Sequence, residues 1–451
     1  MNIANRLRMD SLVILSLAQF GKFFSHFAMR TIFILYLIEQ LGYVESDALG
    51  INTFFFALME LGGVLGGVLA DRYLGLKKTV LVGSLFLSLG YFGFLYEAAL
   101  FFSMGLLATG SSFFSSNIMA LVGNYEQKTA KGSAFTFFYV AQNMGALLST
   151  LLCGVLCFRY GFHLAFTVGS YGMFLSCFLL FLYQKQLSEF ENPIEEKVGC
   201  KKSAFLFFLV LSAALGLFYA NRYLLPILPI VTLFVFLICI GRVFFDREKS
   251  FFAKKELVIF LFALIVFFGV EDQICSSLVL FSEKMTTHSL VGVSIPSTVV
   301  MVLNPVIIIF FGGVFAKRKG SFLLPFYLSA GAFGVLCFLC LVGGSFLFEG
   351  ALAVTLLISF SEVLLAPYLF SQIAKSGGKN TSGLVMGLIP LGFSLSFQLS
   401  GLLSKMVVLG GNAASVSSYG IGFGKIAAFL LLAGMVMYVF TLKKPFLFEN
   451  K

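Results

Sequence analysis

Residues 66–75 read GGVLADRYLG and residues 312–320 read GGVFAKRKG, the same short phrase written twice, 246 positions apart (312 − 66 = 246). In each copy a glycine-rich apolar helix end runs into a basic turn, and a new apolar run follows. The offset reaches beyond the phrase. Leu12, which opens the first apolar run, plus 246 lands on Val258, one residue into the run that opens at Leu257. A helix–basic turn–helix unit repeated in so apolar a chain points to a transporter of two parallel repeats, with a substrate path expected between them.

Hydrophobic residues make up 59% of the chain and charged residues 12%, which excludes an ordinary soluble domain. Apolar runs long enough to cross a hydrocarbon core recur from end to end. The reading predicts spans near 11–38, 48–70, 79–97, 99–122, 134–157 and 162–184, then 257–282, 294–316, 321–344, 350–374, 382–406 and 422–442. Two further runs, 204–220 and 224–245, lie between the halves. The expected fold is an all-α polytopic membrane protein of about 14 helices, two six-helix bundles plus a two-helix insert. Its parts are 1–185, an amino-terminal bundle; 186–254, a cytoplasmic loop and the insert; and 255–451, a carboxy-terminal bundle. An even insert keeps the second half in the orientation of the first, as parallel repeats require.

Charge sets the orientation. With the amino terminus in the cytoplasm, most of the 31 Lys and Arg fall on that side, among them Arg6, Arg8, Arg72, Lys77, Lys78, Arg247, Lys317, Arg318, Lys319, Lys443 and Lys444. Arg159, Arg222, Lys284, Lys405 and Lys425 fall on the other. This positive-inside bias predicts an inner (cell) membrane protein with both termini cytoplasmic. The net charge of +10 therefore reports topology, and no nucleic-acid partner is expected. The first apolar run is too long for a removable signal peptide. Cys153/Cys157 and Cys337/Cys340 have metal-like spacing but sit among Leu, Phe and Val, where they read as small packing residues. No cofactor is expected.

Ionisable side chains inside a span are costly and mark function by default. The first span carries Gln19, Lys22, His26 and Arg30, which fall on one helical stripe about 80° wide. Such a stripe suits a polar cavity and not lipid. Candidate acids are Glu60, Glu271, Asp272 and Glu362, and neutral polar groups at depth are Asn117, Asn143, Gln273 and Asn304. Asp272 minus 246 is 26, so it shares the pseudo-equivalent depth of His26, which allows a pair with Arg30. Cations on one wall and acids on the other fit a zwitterion better than a sugar or a hydrophobic drug.

At these residues the chain resembles the proton-dependent oligopeptide transporter family of the major facilitator superfamily. AMRTIFILYL (28–37) is similar to that family's first helix, GGVLADRYLGLKKT (66–79) to its helix 2–3 turn, and SNIMALVGNY (116–125) to its fourth helix. FTFFYVAQNMGALLSTLLCG (135–154), EDQICSSL (271–278), IPSTVVMVLNP (295–305) and SEVLLAP (361–367) resemble its helices 5, 7, 8 and 10. The resemblance implies uptake of di- or tripeptides through alternating access, and the protein is expected to be a monomer. It implies that Arg30 receives the peptide carboxylate and pairs with Asp272, and that Asn143, Asn304 and Glu362 hold the amino end.

The chain also departs from the pattern. The family's Glu-x-x-Glu-Arg-Phe aligns with Gln19, Lys22, Phe23 and Phe24, so both acids and the arginine are gone. The tyrosine pair that follows reads His26 and Phe27, and the helix 4 lysine and proline align with Ser115 and Ser116. In the family these groups are tied to proton coupling. Coupling here, with protons as a partner, would fall to Lys22, His26, Glu60 and Asp272; a histidine's unperturbed pKa of about 6.5 suits it to switch near neutral pH. The alternatives are a facilitator or symporter for another small organic solute and, from another class, a non-transporting membrane receptor. No arrangement of residues supports an enzyme.

Overall fold

The computed structural model describes residues 9–63, 66–67, 70, 74–129, 134–190, 227–245, 251–287, 289–290, 293–315, 322–343, 346–376, 382–408 and 415–442. The basic turns at 71–73 and 316–320, the loop 191–202 and the first inserted helix, 204–220, lie outside the described residues.

In hydrocarbon each backbone N–H and C=O must be satisfied within the chain, so apolar runs of this length become helices. They are α1 (Ser11–Leu35), α2 (Glu45–Leu61), α3 (Leu76–Gly93), α4 (Leu100–Thr129), α5 (Ala134–Tyr160) and α6 (Phe162–Leu182). The insert contributes α7 (Leu228–Phe245). Then come α8 (Phe251–Glu271), α9 (Ser277–Met285), α10 (Leu303–Phe315), α11 (Leu324–Val342), α12 (Leu347–Lys375), α13 (Ser382–Val408) and α14 (Val416–Leu442). Among the described residues, 10 helices are long and apolar enough to cross a bilayer. Glu45–Leu61, Leu76–Gly93 and the shorter Ser297–Gly312 are further helices at expected spans. A two-residue β-ladder pairs Ser289–Leu290 with Val293–Ser294.

The repeat holds at the starts of three helix pairs. Leu76, Leu100 and Ala134, plus 246, give 322, 346 and 380, within two residues of Leu324, Leu347 and Ser382 where α11, α12 and α13 begin. The span expected near 257–282 is present as the crossing Lys254–Met285, and it carries an internal break. There α8 ends at Glu271, a 3₁₀ turn covers Asp272–Cys275, Ser276 takes φ −126° and ψ −94°, and α9 follows. The polar run EDQICSS supplies side chains that satisfy backbone groups freed at the break; Ser276 Oγ donates to Asp272 O at 2.9 Å.

The chain forms two compact units. The first comprises residues 1–32 and 58–224, the second 33–57 and 225–451. Apolar surface gains little by leaving lipid for protein, so close backbone approach and internal hydrogen bonds carry much of helix association. In the first unit Ser25 Oγ donates to Gly169 O at 2.6 Å and accepts from Met173 N at 2.6 Å, fastening α1 to α6. A Cβ placed on Gly21 would sit 2.3 Å from Gly172 O, and one on Gly145 would sit 2.3 Å from Phe20 O. Gly172 O and Phe20 O are backbone atoms, and the Ser176 hydroxyl lies 2.0 Å from the Gly21 Cβ position as well, so the glycines let α5 and α6 press directly on α1. Gly21→Ala should therefore cost about 1–3 kcal/mol through overpacking. Thermal unfolding in detergent should show a lower midpoint for Gly21→Ala and no such drop for Gly241→Ala, whose Cβ would meet nothing within 4 Å. Equal midpoints for the two variants would refute this account of the α1–α6 crossing.

In the second unit α8 packs on α13, α10 on α12, and α11 on α14. Across the α11–α14 crossing, Cys340 and Cys337 face Gly420 and Gly424, so these thiols fill space opposite glycines. The inserted α7 packs on α13, where Gln398 Nε2 donates to Thr232 Oγ1 at 3.0 Å. Residues 33–57 join this unit through Ser394 Oγ donating to Ala57 O at 2.8 Å and through an ion pair of Lys284 with Glu45.

Candidate functional site

In the first unit the α1 stripe exists as the spacing requires. Gln19, Lys22 and His26 are buried, and Arg30 is half-buried. Glu60, near the end of α2, is half-buried and within electrostatic reach of Lys22 and Arg30. His26 lies in the field of both cations. Two phenylalanines line the stripe. Lys22 Nζ stands 4.5 Å from the centroid of the Phe23 ring, and the Arg30 guanidinium carbon 5.7 Å from that of Phe27. His26 meets Phe27 edge-on at 5.5 Å, and Phe23 stacks on Phe27 at 6.0 Å. Ring faces partly replace the water a buried cation gives up. The arrangement offers positive charge in a low-dielectric setting, suited to a carboxylate.

Asn143 on α5 is buried, and its Nδ2 donates to Tyr139 O at 2.9 Å. Its neighbour Gln142 accepts from Gln19 Nε2 at 3.0 Å, which joins α5 to the stripe through a residue that sequence reasoning missed. Gln19 Oε1 is buried with no hydrogen-bond partner among the described residues. Asn117 has a structural part. Its Nδ2 donates to Phe113 O at 2.8 Å and to Gly66 O at 3.2 Å, tying α4 to the end of the glycine-rich segment.

In the second unit Asn304 and Glu362 come together. Asn304, at the start of α10, donates from Nδ2 to Glu362 Oε2 on α12 at 2.7 Å, and both residues are half-buried. Apolar packing beside the pair holds the two helices at this distance. Val363 of α12 lies against Ile307 and Ile308 of α10, and the rings of Phe311 and Phe360 meet with centroids 5.0 Å apart. The amide fixes the orientation of the carboxylate between the two helices.

Asp272 stands at the break between α8 and α9, buried, and its Oδ2 accepts from Ser400 Oγ of α13 at 2.6 Å. Gln273 beside it accepts from Ser277 Oγ at 2.7 Å and Ser404 Oγ at 2.9 Å, and donates to Ser400 Oγ at 2.9 Å. Ser400 and Ser404 were missed in the sequence because serine is common in these spans and the partners lie more than 120 residues away. Among the described residues no cluster of three or more His, Cys, Asp or Glu is placed to hold a metal ion.

A family model of the Major Facilitator Superfamily matches residues 15–401. The chain is 25% identical over 457 residues to dipeptide and tripeptide permease A of Cronobacter turicensis, covering 94% of this chain and 90% of the relative. It is 25% identical over 320 residues to the uncharacterized transporter YclF of Bacillus subtilis, covering 66% of this chain and 65% of that protein. Among solved structures, a POT family transporter in complex with 5-aminolevulinic acid superposes with a TM-score of 0.84 at 19% identity, covering 96% of both chains. A peptide transporter POT in complex with sulfate gives 0.80 at 22% identity, covering 96% of this chain and 94% of the other. At these identities the structures speak for the fold.

Proposed function

The chain belongs to the Major Facilitator Superfamily, and on that premise we propose that it is a diverged oligopeptide transporter, which imports di- and tripeptides or similar small zwitterions by alternating access. The observation that carries this reading is the Asn304–Glu362 pair, an acid held by an amide at 2.7 Å in a chain that is only 12% charged. The cations of α1, Lys22 buried and Arg30 half-buried, supply the opposite sign for a carboxylate. Arg30 is assigned to the peptide carboxylate, and Asn143, Asn304 and Glu362 to its amino end. Purified protein in proteoliposomes should take up a radiolabelled dipeptide saturably, with competition by unlabelled di- and tripeptides and none by a sugar. Absence of saturable uptake refutes the reading.

A second reading, a facilitator without proton coupling, is favoured by one feature: Lys22, His26 and Phe27 stand where the resembled motif carries acids and tyrosines. The protein is further proposed to be a monomer of the cell membrane with both termini cytoplasmic. Asn192→Cys in a background without other cysteines should then resist an impermeant thiol reagent added to intact cells and react once the membrane is opened. Labelling from outside would overturn this topology.

A further inference from the structure

We propose that Ser400 of α13 is a positioning residue for the Asp272 carboxylate, so that α13 holds the acid at the break between α8 and α9. This rests on the transport reading only for its consequence in uptake. Gln273 fixes the direction of the serine's proton. Its amide oxygen is taken by Ser277 and Ser404, so its nitrogen faces Ser400 and donates to Ser400 Oγ at 2.9 Å and to Ser400 O at 3.2 Å. Ser400 Oγ, already accepting, has one proton to give, and Asp272 Oδ2 lies 2.6 Å away.

The acid is the first residue of the 3₁₀ turn that interrupts the helix. Ser276 Oγ meets Ser404 Oγ at 3.0 Å, which places a second α13 hydroxyl at the far end of the same turn. Both ends of the break are thus referenced to α13. Other serines of α13 differ. Ser396 donates within its own helix to Gly392 O, and Ser394 donates to Ala57 O. Ser400 reaches a carboxylate. Discontinuous helices in transporters carry their ion and substrate groups at such breaks, where backbone and side chains can change partners.

The test is spectroscopic and is made on purified protein without peptide. Infrared difference spectra of protein with isotope-labelled aspartate should contain a carboxyl band that disappears in Asp272→Asn. At fixed pH this band should be displaced in Ser400→Ala and return in Ser400→Thr. It should stay in place in Ser396→Ala, a serine of the same helix whose hydroxyl is spent on Gly392 O. A band unmoved in Ser400→Ala, or moved equally in Ser396→Ala, would overturn the proposal. In proteoliposomes Ser400→Ala should slow peptide counterflow by roughly tenfold, the lower end of what a hydrogen bond to a charged group contributes, and Ser400→Thr should restore it. A wild-type protein that carries no peptide would sink the transport reading while the infrared result still decides the role of Ser400.

Discussion

Glu362→Gln should lower the apparent affinity for a dipeptide by about ten- to a hundredfold, because it removes the charge proposed to hold the peptide's ammonium. A hydrogen bond involving a charged group contributes about 1.5–3 kcal/mol, and each 1.4 kcal/mol is a factor of ten. Glutamine keeps the size of the side chain, and its oxygen can still accept from Asn304 Nδ2, so the α10–α12 contact at 2.7 Å has a neutral substitute. The loss should therefore appear in binding and not in folding. Acetylating the peptide's amino group should produce a similar loss in wild type. In Glu362→Gln the free and acetylated peptides should compete almost equally, since the partner that told them apart is gone. Equal competition in wild type would show that Glu362 does not bind the amine.

The repeat 66–75 and 312–320 made the fold legible because the same helix–turn–helix unit must recur wherever two parallel bundles are built. The stripe of Lys22, His26 and Arg30 was legible for a related reason: helical spacing alone determines which residues of one helix share a face. The break at Asp272–Ser276 was not. Hydropathy reads 257–282 as one apolar run, and a 3₁₀ turn of four residues barely alters that average. The serines of α13 were hidden for a different reason. Ser400 gains its meaning from Asp272, 128 positions away, and no local pattern encodes which face of one helix meets which face of another. The aromatic lining by Phe23 and Phe27 was in view as a departure from a motif, but its contact with the cations depends on side-chain rotamers that no sequence pattern encodes.

Accumulation of peptide driven by a pH gradient should be abolished by Glu362→Gln or Asp272→Asn, and blunted by His26→Phe. With acids absent from the α1 stripe, a proton-coupled cycle would have to use groups that this chain retains. Asp272 and Glu362 are carboxyl groups that replacement by an amide makes unable to take up a proton, while size and hydrogen bonding are nearly kept. His26 is buried on the stripe beside Lys22 and Arg30, and meets Phe27 edge-on at 5.5 Å. Phenylalanine preserves that ring contact and cannot be protonated, so a deficit in His26→Phe reports charge and not shape. Counterflow, which needs no gradient, separates the two effects: His26→Phe should exchange peptide at a rate near wild type while accumulating less. Gradient-driven accumulation that survives all three substitutions rules out this route. Saturable exchange without accumulation in the wild type makes the protein a facilitator, in which the cations of α1 serve binding alone.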